Sequence, residues 1–420
     1  MRLKSKWNRR SFLGSVGVIA SSLLAPRKLF SWNREAAQAV TPVNGFGKTG
    51  NPYEELGVTT VINCEGTMTM LGGSLPHPEL EAVMTMAGRH FVSIPELEVA
   101  AGNRIAEMPK LPEGYTALVT SGAAAAIQSG LAGILTGGNE VLIRQLPDLT
   151  GMKSEVIIQK SHRNPFDHQL RSTGIKLIEI ETADQLRAAV NERTAMMHFS
   201  NFANDAGQIK VDEWVKLAKQ HNVPCMNDAA ADTPPVSHLW DYTNMGYDLV
   251  TFSGGKAIRG PQCAGMLIGR KEVVANALLN NSPHEDTLGR SQKVGKEEIV
   301  GMVKALELFL AEDHEALARE WQDRLEEISS EIKKVPGVST SFFVPDIANH
   351  VPHMSITWDE ARISVTPQQA SKLLRNSKPS IVIGSGDGRP GLAMNSFMLQ
   401  PGENKIVADQ LSRLLREHAS

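Results

Sequence analysis

The chain has 420 residues, with 43 Lys+Arg against 46 Asp+Glu, for a formal net charge of -3. Its 41% apolar and 21% charged residues exclude disorder over most of the length, and a chain this long is expected to hold two domains. Three cysteines (Cys64, Cys225 and Cys263), odd in number and far apart, support neither a disulfide framework nor a cysteine zinc site.

Residues 1–39 carry eight basic residues and one acid, Glu35. A basic start, a mildly apolar run from Phe12 to Ala25 and a polar stretch ending in Ala37-Gln38-Ala39 are the three regions of an export signal. Arg9-Arg10 followed by Ser11-Phe12-Leu13 resembles the twin-arginine type, which carries folded proteins. Asn8 and Gly14 depart from it, standing where Ser or Thr and Lys are commoner. The apolar run of about 14 residues is shorter than the roughly 20 that a spanning helix needs. The expectation is a protein with no stable membrane span, exported to the periplasm by the twin-arginine machinery. Beyond residue 39 there remain 35 basic and 45 acidic residues, a net charge of -10.

From about Tyr53 short apolar runs alternate with helical periods. Strands are predicted at Thr116–Thr120, Glu155–Gln159, Ile175–Ile180, Ala195–Phe199, Pro224–Asn227, Asp248–Phe252 and Cys263–Ile268. Helices are predicted at Ala123–Leu135, Ala183–Val190 and Val211–His221. Strands separated by helices make this an α/β chain with a doubly wound, mostly parallel sheet. A long amphipathic stretch, 296–334, reads as one connector helix, and short strands with two helices follow Pro336-Gly337. The expected boundaries are 1–39 for the export signal, 40–285 for an N-terminal arm and large domain, and 286–420 for the connector and a small α+β domain.

Three segments carry the chemistry. Leu118 to Ala126 runs from a strand through Ser121-Gly122-Ala123 into an alanine-rich helix, whose free N–H groups can cradle a phosphate. Pro224 to Ala231 places Asp228 at the C-terminal end of a buried-looking strand, where ligands of open α/β sheets bind. Asp248 to Gln262 holds Ser253-Gly254-Gly255-Lys256, a lysine just past an apolar strand. Flanking glycines would let a planar group lie close to the backbone, and a desolvated lysine can have the lowered pKa that covalent attachment to an aldehyde needs. Taken singly, these are also a close-packed turn, a helix cap and an exposed loop lysine.

The order of the three, with about 105 residues from phosphate turn to Asp and about 28 from Asp to Lys, resembles the fold-type I pyridoxal-phosphate (PLP) enzymes. By that resemblance Lys256 holds the cofactor and serves as general acid/base, and Asp228 pairs with the pyridinium nitrogen. Ser121, Gly122, Ala123 and Ser253 hold the phosphate. The run from Phe252 through Arg259-Gly260-Pro261-Gln262 to Gly269-Arg270-Lys271 is similar to the SelA-like family of bacterial L-seryl-tRNA(Sec) selenium transferases. So are Val61-Ile62-Asn63 with Gly66-Thr67, His198 to Phe202, and Arg290 with Lys293 to Lys296. Ser161 to Asn164 with Asp167-His168 resembles the branch that includes D-glucosaminate-6-phosphate ammonia-lyase. The resemblance implies that a residue near His162 stacks on the cofactor ring and that Asn201 bonds the ring's phenolic oxygen. Otherwise Ser161 to His168 is a polar loop turning at Asn164-Pro165.

An amino-acid substrate needs a fork for its carboxylate, which arginine supplies. Arg259, Arg290 and Arg389 are the candidates, the last after a Gly384 to Gly388 turn read as a connection between strands. Histidines and acids show no metal-ligand spacing, so no metal is expected. The expected activity is a PLP-dependent lyase on an amino acid or amino sugar acid: Cα deprotonation, β-elimination and ammonia release. A racemase or aminotransferase is the alternative. Selenium transfer on seryl-tRNA is disfavoured, because nucleic-acid binding draws on Lys and Arg and the chain beyond residue 39 is acidic. A homodimer or higher homo-oligomer is implied by resemblance.

Overall fold

The computed structural model describes residues 50–385 and 390–419; the export segment and Arg389 lie outside them. The chain divides into a unit ending at Thr60 and a unit Val61–Ser420. In the first, a single helical turn, Pro52–Glu55, is capped by the Asn51 side chain accepting from Tyr53 N at 3.0 Å.

The second unit holds thirteen strands among the described residues. They are β1 (Val61–Asn63), β2 (Tyr115–Thr120), β3 (Glu155–Gln159), β4 (Lys176–Ile180), β5 (Thr194–Ser200), β6 (Cys225–Asp228) and β7 (Leu249–Ser253). Next come β8 (Gly265–Arg270), β9 (Val338–Phe343), β10 (His353–Trp358), β11 (Ser380–Val382), β12 (Gly384–Ser385) and β13 (Leu392–Asn395). The seven predicted strands are β2 to β8, each within two residues of its expected ends.

These seven form one sheet in the order β2-β8-β7-β6-β5-β3-β4. Only β8 runs antiparallel to its neighbours, so the C-terminal ends of β2, β5, β6 and β7 come to one edge. Strands buried on both faces read as continuous apolar runs, and the two-residue period then sorts their side chains between two cores. Leu118, Met196, Leu249 and Leu267 face the core under helices Gly122–Thr136 and Lys271–Leu279. Val119, Met197, Val250 and Ile268 face the other, with Trp214, Met302 and Phe309.

A four-stranded antiparallel sheet, β12-β13-β10-β9, and the parallel pair β1-β11 frame a third core with helices His314–Ile332 and Glu403–Glu417. Ile62 and Cys64 are buried in this C-terminal core, far in sequence from the rest of it. The expected single connector is two helices, Lys296–Ala311 and His314–Ile332. The break is chemical: the Asp313 side chain accepts from Ala316 N at 2.9 Å and starts the second helix. Ile299, Met302 and Phe309 pack with the large sheet, whereas Leu325, Ile328 and Ile332 pack with the small one.

Candidate active site

Ser121 precedes helix Gly122–Thr136 and offers no side-chain cap, so the first N–H groups of the helix are left for another acceptor. Gly122 has φ +83°, and nothing lies within 4 Å of where its Cβ would be. The turn is therefore open above, and at Gly122 only glycine is unstrained. Beneath it β8 comes very close at Gly265, next to Gly122 and Ala123.

Asp228 ends β6 and is buried. Its Oδ1 accepts from Ala230 N and from Thr251 Oγ1, each at 3.2 Å. Burial pushes its carboxyl above the usual carboxylate range, opposed by the charge of Lys256. Burial likewise pulls Lys256 below the ordinary lysine range, opposed by Asp228 and Asp232. The Lys256 ammonium makes no hydrogen bond or ion pair to any described residue.

The loop carrying Lys256 is tightly held. Gly254 N donates to Ala264 O at 2.9 Å, Gly260 N to Gly254 O at 2.8 Å and Ser74 N to Gly255 O at 2.9 Å. With its amide turned so that the nitrogen faces them, Gln262 donates to the Gly255 and Gly72 carbonyls at 3.3 and 3.2 Å. The glycines flanking the lysine are filled from within the protein, which corrects the expectation that they clear space for a ligand. A Cβ on Gly254 would meet Met302 Sδ at 2.4 Å, and one on Gly255 would meet Gln262. Ser253, at the end of β7, donates its N–H to Ala230 O at 3.3 Å, beside Asp228.

Asn201 follows β5, whose Ser200 is in register with Asp228. It donates from Nδ2 to the Tyr242 hydroxyl at 2.8 Å, and that hydroxyl donates to Asp232 at 3.3 Å. Asp232 and Tyr242 are the residues that sequence reasoning missed. Their one sequence trace is the acid four positions after Asp228.

His162 is placed otherwise than a ring-stacking residue requires. It is fully buried and shows no face to open space. Its Nδ1 accepts from Ser200 N at 3.2 Å, its Nε2 lies 3.0 Å from Gln159 Nε2, and its ring meets Phe199 edge-on at 4.5 Å. Asn164 turns the following loop, as expected, by accepting from Phe166 N at 2.8 Å.

Of the candidate arginines, Arg259 and Arg290 are described, and each has its own surroundings. Arg259 donates from Nε to Leu75 O at 2.9 Å and lines a small pocket with Ala257, Glu312, His314 and Trp321. Arg290 is half-buried, two residues before Gln292, which bonds Gln128 of the phosphate-turn helix at 2.5 Å.

Residues 61–334 match the family SelA, L-seryl-tRNA selenium transferase. The chain belongs to the SelA family. It is 26% identical over 384 residues to D-glucosaminate-6-phosphate ammonia lyase of Salmonella typhimurium (strain 14028s / SGSC 2262), spanning 89% of this chain and 100% of that one. It is 27% identical over 380 residues to 5'-C-glycyluridine monooxygenase-decarboxylase of a Streptomyces sp, spanning 87% and 92%. A solved structure of D-glucosaminate-6-phosphate ammonia-lyase superposes with a TM-score of 0.77 at 25% identity, over 89% of this chain and all of that one.

This SelA-family chain is an enzyme with the α/β fold of the PLP-dependent proteins, and family and fold imply pyridoxal phosphate as cofactor. The residues present fit that group: an uncapped, open helix turn for the phosphate, a half-buried lysine whose ammonium makes no hydrogen bond to a described residue, and a buried carboxylate with only neutral donors on it. The SelA-like motif around Asn63 also has a physical reason. Asn63 Oδ1 accepts from Glu65 N and Gly66 N at 2.9 and 3.1 Å, closing a turn at Gly66 (φ +89°). A Cβ at Gly66 would stand 2.9 Å from Asn395 Nδ2, which donates to Glu65 O.

Proposed function

We propose that this SelA-family enzyme is a PLP-dependent lyase that converts an amino acid or amino sugar acid with a β-hydroxyl into a 2-oxo acid and ammonia. The observation that carries this reading is the electrostatic coupling of half-buried Lys256 to buried Asp228, at the strand edge next to the open Gly122 turn. The full-length similarity to an ammonia lyase supports the reaction type. The acidic balance beyond residue 39 speaks against a tRNA substrate.

PLP, when bound, supplies an electron sink for the carbanion left at Cα. Ser121, Gly122, Ala123 and Ser253 are proposed to hold its phosphate, and Asp228 its ring nitrogen. A cation there gives the Asp228 carboxylate the charged partner that burial otherwise denies it. Lys256 Nζ, its pKa lowered by burial, is the amine proposed to take the Cα proton and return a proton to the departing hydroxyl. The closed loop 254–262 holds Nζ in place during that transfer. Arg259 and Arg290 remain the candidates for the substrate carboxylate, to be separated by their effects on KM.

The test is to record the visible spectrum of the PLP-loaded protein and to screen D- and L-amino acids and amino sugar acids for equal release of ammonia and 2-oxo acid. Lys256→Ala is the control and is expected to lose all turnover. A protein that takes up no PLP overturns the reading, and racemisation or transamination without ammonia overturns the lyase. We further propose that the enzyme acts in the periplasm, as a homodimer or higher homo-oligomer. Arg9→Lys with Arg10→Lys should then leave the precursor in the cytoplasm, and unimpaired export would contradict the twin-arginine route.

A further inference from the structure

Behind Lys256 lies a hydrogen-bond chain that the proposed reaction does not use. Asp232 accepts from the Tyr242 hydroxyl, the Tyr242 oxygen accepts from Asn201 Nδ2, and Asn201 Oδ1 is buried without a partner. His238 closes the group from the side. Its Nδ1 lies 2.7 Å from the Asp232 carbonyl oxygen, so it carries its hydrogen there, and 3.4 Å from the Tyr242 hydroxyl. Two elements in contact with the site, the end of β5 and the loop after β6, are thereby tied to helix His238–Met245.

A hydroxyl has one proton, so this chain has a direction. With Asp232 ionised, Tyr242 must donate to it, Asn201 must turn Nδ2 toward Tyr242, and its carbonyl end is left over. With Asp232 protonated, the acid donates to the Tyr242 oxygen and the hydroxyl donates to Asn201 Oδ1 once the amide has turned. The amino end is then left over. The two ends of a side-chain amide have nearly the same shape, so the exchange needs no other movement. A buried amide oxygen with no donor is costly, which is why the leftover end matters to whatever lies beside it.

We propose that the protonation of Asp232, felt by Asn201 both directly and through Tyr242, sets whether Asn201 offers an acceptor or a donor to the aromatic cofactor held at Lys256 and Asp228. The proposal rests on PLP occupying that site. It makes Asp232 a positioning residue that acts through Asn201. The groups facing Asp232 are Asp228 from β6, Lys256 from the loop after β7, Asn201 after β5, and Tyr242 and His238 from their helix; Asp241 acts on Tyr242. Burial, then the like charge of Asp228, push the Asp232 carboxyl up to about 7, with Lys256 opposing. The donor arrangement therefore holds below that pH and the acceptor arrangement above it.

The experiment follows the visible absorption of the PLP-loaded protein between about pH 5 and 9. The wild type should show a change of band ratio centred near neutrality. Tyr242→Phe keeps Asp228, Lys256 and Asp232 and removes the hydroxyl link, so the midpoint should move by more than about 0.3 pH units. Asp232→Asn should abolish the transition, and Asp232→Glu should restore it with a displaced midpoint. Cooperative thermal unfolding checks that each variant is folded. A transition that survives Tyr242→Phe within about 0.3 pH units overturns the relay and assigns the change to charge alone. A bound chromophore indifferent to all three substitutions also overturns it. Failure of the wild type to take up PLP is a different result, which removes the functional reading and this proposal with it.

Discussion

A methyl group on Gly265 would stand 2.5 Å from the Gly122 carbonyl carbon and 2.7 Å from the Ala123 nitrogen. Strand β8 is thus the floor of the turn proposed to hold the cofactor phosphate, and glycine at 265 is what lets it lie there. Gly265→Ala must lift the turn or bend the strand, at a cost of about 1–3 kcal/mol. Because the displaced N–H groups are those that would meet the phosphate, PLP affinity should fall by roughly tenfold or more. Titrating the protein with PLP and following absorbance measures this. Wild-type affinity in the variant would show that the phosphate does not use this turn.

Lys256 is expected to destabilise the protein when no partner is bound to it. Burial lowers its pKa from 10.5, so between the folded value and 10.5 the unfolded chain binds more protons and stability rises with pH. Below the folded value the penalty is fully present. Lys256→Met, which keeps most of the volume and removes the charge, should raise Tm by a few degrees at pH values where the folded-state lysine is charged. That gain should shrink as pH approaches 10.5. Thermal unfolding of both proteins at two pH values checks the sign; a lower Tm for the variant at the lower pH would mean that the lysine is stabilised by its acidic neighbours after all.

The large sheet was legible because strands covered on both faces read as apolar runs, and β3 shows this with all five residues buried. Helices Glu79–Gly88 and Ile94–Glu107 were not predicted, since exposed Met86 and Val99 spoil the polar face that helical periodicity depends on. Lys256 and Asp228 could be found because each follows an apolar strand. Asp232 could not, because its meaning comes from Tyr242 and Asn201, and no local pattern joins residues 41 apart. Gly254 and Gly255 were misread for the same reason: Met302, which fills the space over Gly254, lies on a helix well downstream. His162 sits in a polar stretch, yet a short 3-10 turn, Lys160–His162, folds it inward against Phe199.

His162 and His198 should make the protein acid-sensitive. Burial pushes them down to about 4 and about 3, from 6.5. Their folded-state pKa values are depressed, so their contribution is fully present above 6.5 and is lost as pH falls toward 4. For His162 the loss is on the order of 3 kcal/mol at pH 4. His162→Gln can still accept from Ser200 N but cannot take up the proton. Chemical denaturation at a series of pH values should show about half the wild-type loss of stability across this window. An unchanged pH slope would mean that acid unfolding is governed elsewhere.

Phe91 is fully exposed at 103%, Met70 is 95% exposed, and Met86, Val92 and Val99 in the same stretch are exposed as well. Exposed apolar side chains grouped this closely in sequence are candidates for a surface that another molecule covers. We propose that a second copy of this chain covers it, since the oligomer expected for the family needs such a face. Phe91→Asp would place a charge in that interface, where a central aromatic is worth about 2 kcal/mol or more, a roughly thirtyfold loss of affinity. The variant should fold normally, because an exposed ring contributes nothing to its own core. Sedimentation of wild type and variant across a range of concentrations should show the variant dissociating where the wild type stays associated. Equal masses at every concentration would place the interface elsewhere and leave Phe91 without a role in assembly.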